Sequence, residues 1–151
     1  MLKAPITTAF NADRELAIKL SNKILGYMNK SPSPYHCCVE ARNIFLQNGY
    51  TELPEETSWN VSPGHKYFLI RDNSTYVAFT VGKKWNPNSS CFKLVGTHVD
   101  SPNFRLAPKS LGTSKEWIQC HIQIYGGPSA FTWYDRDLKL AGRVLVKKGD
   151  C

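Results

Sequence analysis

Within four residues, Ser31-Pro32-Ser33-Pro34, the chain stops one helix and starts another. Proline has no backbone N–H and clashes with the preceding turn, so a helix arriving from upstream ends here. The arriving stretch, 12–29, has an apolar stripe: Leu16, Leu20, Ile24 and Met28 recur at i+4. Asn11 or Asp13 suits its N-cap. Proline is welcome in a first helical turn, and serine is a strong cap, so Ser33 and Pro34 open a second helix. That helix is expected from Pro34 to Asn48, with Tyr35, Val39, Arg42 and Leu46 near one face. Gly49 is its expected C-terminal stop.

After Gly49 the periodicity changes. Tyr67 to Ile70 and Tyr76 to Val81 read as strands, and Arg71-Asp72-Asn73-Ser74-Thr75 supplies the turn of a hairpin. Residues 83–90 form a polar loop. Phe92 to Gly96, Trp117 to Tyr125 and Gly142 to Lys147 are further expected strands. The layout is two helices followed by strands, an α/β chain without repeats or low-complexity tracts.

A length of 151 residues with 42% hydrophobic and 21% charged residues would suit one complete, soluble domain. No apolar run approaches the roughly 18–20 residues of a membrane helix. The N-terminus lacks the apolar stretch of a signal peptide. The net charge is +7, but Lys and Arg are spread as six, five and eight over 1–50, 51–100 and 101–151. The tightest clusters are the pairs Lys83-Lys84 and Lys147-Lys148, so the charge reads as solvated surface, with neither nucleic acid nor membrane as partner. Five cysteines without a C-x-x-C make neither a disulfide framework nor a zinc knuckle. Reduced thiols and a cytoplasmic location follow most simply. The sequons at Asn60, Asn73 and Asn88 are then chance occurrences.

The densest chemical signal is Val95-Gly96-Thr97-His98-Val99-Asp100-Ser101-Pro102. A strand is expected to run into His-x-Asp and then a turn. In extended backbone i and i+2 share a side, so His98 and Asp100 would face the same way. One imidazole nitrogen can bind zinc while a carboxylate accepts from the other. The same spacing fits an ordinary turn, and spacing alone leaves both readings open. The other histidines read as structural: His36 in a first helical turn, His65 in an exposed loop, and His121 on one face of a strand. A second dense patch joins Tyr125-Gly126-Gly127-Pro128 to Thr132 through Leu138. Gly126-Gly127 permits positive φ or close backbone approach, without the lysine of a phosphate loop. Asp135, Arg136 and Asp137 could form an ion-pair network at a subunit contact. No G-x-S-x-G elbow is present.

Five segments, in order, carry a family resemblance: Asn29 to His36, Trp59-Asn60, Lys66-Tyr67-Phe68, Val95 to Pro102, and Tyr125-Gly126-Gly127 with Thr132 to Val146. Over about residues 12–148 the chain resembles the N-terminal part of the aspartyl aminopeptidases, dinuclear zinc exopeptidases. The resemblance implies an α/β zinc-peptidase catalytic domain interrupted by a β-rich inserted domain, both incomplete. It places 1–107 in the catalytic domain and 108–151 at the start of the insertion, which mediates homo-oligomer assembly. His98 is then a zinc ligand and Asp100 the partner that orients it. Two zinc ions per site would act on peptides with an N-terminal Asp or Glu. The remaining ligands and a glutamate general base would lie beyond residue 151, so this chain alone is expected to be inactive. The alternative is a non-catalytic, truncated paralogue that joins oligomers of a longer enzyme.

Overall fold

A computed structural model of the chain describes residues 6–88, 91–110, 112–114, 116–127 and 129–149. They gather into two compact units: the described residues of Met1–Val99 with Gly142–Cys151, and those of Asp100–Ala141.

The first unit opens with α1 (Ile6–Lys30) and α2 (Pro34–Gln47). The proline-bearing segment separates them as expected. Ser33 is extended, at φ −145 and ψ 163, and its side chain accepts from the His36 backbone N–H. α2 ends in a Schellman arrangement. The Gly49 N–H donates to the Leu46 carbonyl at 3.1 Å, and the Tyr50 N–H reaches Phe45 at 3.0 Å. Gly49 sits at φ +75, where a side chain would be strained. Positions 11 and 13 lie inside α1, not at its start, because the helix starts at Ile6. No Pro or Gly between Ile6 and Asp13 interrupts the helical hydrogen bonding.

β1 (Thr51–Glu52), β2 (Lys66–Arg71) and β3 (Thr75–Thr80) form a sheet in the order β1-β2-β3. β1 runs parallel to β2, pairing Thr51 with Tyr67 and Glu52 with Phe68. β2 and β3 are the expected hairpin, in register from Lys66↔Thr80 to Arg71↔Thr75. Its turn holds Asp72 at φ +49 and Asn73 at φ +52, a conformation their short polar side chains tolerate.

β2 is the core of this unit because both of its faces are covered. On one face Phe68 is fully buried and packs at a tilt against Phe45 of α2, centroid to centroid 5.1 Å. On the other, Tyr67 and Leu69 pack with Leu53, with Val61, Phe79 and Val81 around them. Two hydrogen bonds brace the 53–63 loop over that face. Trp59 Nε1 donates to the Pro54 carbonyl at 2.7 Å, and the Ser62 N–H donates to the Tyr67 hydroxyl at 3.0 Å.

Packing against both α1 and the sheet decides which side of α2 is buried. Cys37, Cys38 and Ala41 are inside, whereas Val39 and Leu46 of the expected face are exposed. The α1 stripe is real but uncovered among the described residues: Leu16, Leu20, Ile24 and Met28 are all exposed. No helix among the described residues is long and apolar enough to cross a membrane.

The second unit contains β4 (Asn103–Leu106), β5 (Thr113–Ser114), β6 (Trp117–Ile118) and β7 (Ile122–Tyr125), then a 3-10 helix, Ser129–Trp133. β4 pairs antiparallel with β7, and β5 with β6. Phe104 packs between Trp133 and Tyr134, at 5.7 and 6.2 Å.

Three expected strands differ. Trp117 to Tyr125 is two strands, because β6 turns back to β5 while β7 pairs with β4. His121 therefore precedes β7 and is exposed, not set on a sheet face. Residues 92–96 and 142–147 are irregular, and Phe92, Leu94, Val95, Val144, Leu145 and Val146 are each at least 79% exposed. Their sequences suit strands, but among the described residues no neighbouring strand bonds them.

Candidate metal-binding turn

The His-x-Asp turn lies in the irregular stretch 91–102, which leads into β4. The strand expected before His98 is absent, and the regular element follows Asp100. His98 is exposed and Asp100 half-buried. The two fall on either side of the boundary between the compact units.

Asp100 is held from within its own unit. The Tyr125 hydroxyl donates to its Oδ2. Tyr125 ends β7 opposite Asn103, the first residue of β4, so strand register brings the phenol to the turn. The Arg105 guanidinium lies 3.6 Å over the Tyr125 ring. The hydrogen bond to Asp100, with the carboxylate's charge, pushes the Tyr125 phenol above its ordinary pKa, while Arg105 opposes the shift.

Gly126 explains half of the glycine pair. It sits at φ +116, and a Cβ there would lie 2.5 Å from the Pro102 Cβ. The end of β7 and the Ser101-Pro102 turn thus meet at a contact only glycine allows. Nothing crowds Gly127. Of the acidic patch, Asp135 takes φ +55 in a turn, and Arg136 donates to the Thr132 carbonyl at 3.4 Å, so among the described residues it serves the chain locally.

Other candidates resolve as structural. The Ser33 Oγ lies 2.7 Å from His36 Nδ1, so His36 belongs to the α2 cap. His65 is exposed, with its ring stacked near Tyr67. Cys37 and Cys38 are buried free thiols, and burial pushes the Cys38 thiol up, which disfavours its nucleophilic thiolate. Burial also pushes the Tyr27 phenol up to about 12, aided by Cys37. Among the described residues no group of three or more His, Cys, Asp or Glu is placed to hold a metal ion.

From the sequence Tyr125 stands out only as part of the Tyr125-Gly126-Gly127-Pro128 patch, without a role, and Arg105 does not stand out at all. The available signal was Gly126, since a glycine demanding close approach also fixes the residue before it.

A family model described as aminopeptidase I zinc metalloprotease (M18) matches residues 27–151. Aspartyl aminopeptidase 1 of Schizosaccharomyces pombe is 41% identical over 128 residues, 83% of this chain and 27% of that protein. The chain thus spans about a quarter of the length of the curated relatives it matches. Among solved structures, the Ape4 and Nbr1 complex matches with a TM-score of 0.71 and 38% identity, over 76% of this chain and 22% of that one. The mApe1 dodecamer of Saccharomyces cerevisiae matches at a TM-score of 0.66 and 25% identity, over 78% of this chain and 28% of that one. The mixed helix-and-sheet architecture is therefore shared with aminopeptidases of known structure.

Proposed function

The chain belongs to the aminopeptidase I zinc metalloprotease (M18) family, and we propose that it is the N-terminal portion of an aspartyl aminopeptidase. The likeness to aspartyl aminopeptidases over most of the chain carries this reading. The proposed reaction releases an N-terminal Asp or Glu from a peptide. In the proposed layout residues 1–107 belong to the catalytic domain, and 108–151 begin an inserted β-rich domain through which copies of the chain assemble. The dodecameric state of the similar mApe1 supports assembly. The proposal includes a cytoplasmic location, supported by five cysteines without a C-x-x-C, and neither nucleic acid nor membrane as partner, supported by the evenly spread basic residues.

The residues fit a share of a zinc site. A neutral imidazole at His98 is a good zinc ligand, and Asp100 is a carboxylate already held by a donor. Zinc takes about four ligands, so further ligands for two ions, and the glutamate base, are proposed on sequence outside this chain. When bound, zinc supplies Lewis acidity and a water that loses its proton near neutral pH. His98 would hold the metal through one ring nitrogen. Asp100 would accept from the other, fixing the tautomer and raising the ligand's basicity.

The test uses the full-length protein that contains this chain. Release of aspartate from an Asp-peptide is expected, lost with chelator and restored by zinc. His98→Ala should lower zinc content and activity together, by more than the roughly 10–100-fold typical of losing an outer partner. Retention of both would remove His98 from the site.

A further inference from the structure

Tyr125 is held in place by more than its own rotamer. Its hydroxyl donates to Asp100 Oδ2. Arg105, two residues along β4 from the residue that Tyr125 pairs with, lies 3.6 Å over its ring. The next residue, Gly126, is locked against Pro102, two residues beyond Asp100. These contacts fix the phenol and the carboxylate on one rigid corner, where β7 ends and the turn into β4 begins.

A half-exposed tyrosine–aspartate bond contributes little to folding, because water offers both groups a substitute. A hydrogen bond to an ionised carboxylate is nevertheless short and directional, so it orients the acceptor well. A carboxylate has about four acceptor sites, so a bond from Tyr125 is compatible with one from an imidazole N–H.

We propose that Tyr125 is a positioning residue for the proposed metal site: its hydroxyl fixes the orientation of the Asp100 carboxylate. The proposal rests on the orienting role proposed for Asp100 above. Arg105 acts one step further out, keeping the Tyr125 ring over β4. Outer partners of a metal-binding histidine set its tautomer and direction, and their removal weakens metal binding without removing a ligand.

The test measures zinc affinity of the full-length protein by competition with a chromophoric chelator. Tyr125→Phe keeps the ring and its contact with Arg105 and removes only the donor. It should weaken zinc binding about 3–10-fold, near or below the lower end of the range for outer-partner loss. The melting temperature of its metal-free form should not change. In an Asp100→Ala background the same substitution should have no further effect, because its acceptor is gone. Wild-type zinc affinity in Tyr125→Phe would overturn the proposal. So would a loss that persists in full in the Asp100→Ala background, which marks a purely structural role. His98→Ala, measured alongside, separates the two failures. If it binds zinc normally, the site reading falls and this proposal with it; if it loses zinc while Tyr125→Phe does not, only the proposal falls.

Discussion

Ser33 is a small residue with a large local effect. It satisfies the otherwise unpaired His36 N–H at the start of α2, and its hydroxyl also meets the His36 ring. It is buried as well, so no water readily replaces it. Ser33→Ala is expected to destabilise the protein by about 1–2 kcal/mol, read from the urea midpoint with the m-value unchanged. An unchanged midpoint would show that water substitutes at the cap. Gly49, Asp72, Asn73 and Gly126 make the same point through backbone shape. Each takes positive φ where the chain turns sharply, and each is glycine, aspartate or asparagine. Such positions are legible in sequence because the constraint is local. Asp100 and Tyr125 stand apart. They meet across a separation of 25 residues, and no spacing rule connects them.

Among elements, β2 shows what separates a strand from a strand-like segment. Tyr67-Phe68-Leu69-Ile70 and Phe92-Lys93-Leu94-Val95 have similar apolar content. The first is bonded on both edges, by β1 and β3, and covered on both faces. The second is irregular and exposed. Composition predicts the capacity to form a strand; neighbours decide whether it forms. Phe68→Ala removes the best-buried ring and should cost about 3–5 kcal/mol. Val77→Ala, at an exposed site on β3, should change stability by less than about 0.5 kcal/mol. Equilibrium denaturation of the two variants checks both values, and a similar loss in each would contradict this account of the core. The same reasoning explains α2. Its caps were readable from Ser33, Pro34 and Gly49, but its buried face was not: Phe45 packs on Phe68 of β2 and Tyr76 of β3, Cys37 bonds back to the Ser31 carbonyl, and Cys37, Cys38 and Ala41 are inside.

For the molecule as a whole, the uncovered apolar groups and the sparse donor set point the same way. The α1 stripe, residues 92–95 and residues 144–146 lie open among the described residues. No group of three or more metal-binding side chains is assembled there. On the proposed layout, which puts the remaining ligands and the base outside this chain, the 151-residue chain produced alone is expected to release no measurable aspartate from an Asp-peptide, with or without added zinc. Chelator-insensitive release by that chain would refute the proposed site. The sequence by itself determined the caps of α2, the hairpin and its turn, the family, and the His-x-Asp segment worth testing. Each is written in residues adjacent along the chain or in motif order, where sterics and hydrogen bonding act locally. Only the tertiary structure decided which face of α2 is buried, that β1 joins β2 in parallel, that 117–125 divides between two partners, and that Tyr125 holds Asp100. Those outcomes depend on burial and pairing between residues distant in sequence, and hydrophobic contact, being non-directional, leaves no local mark of its partner.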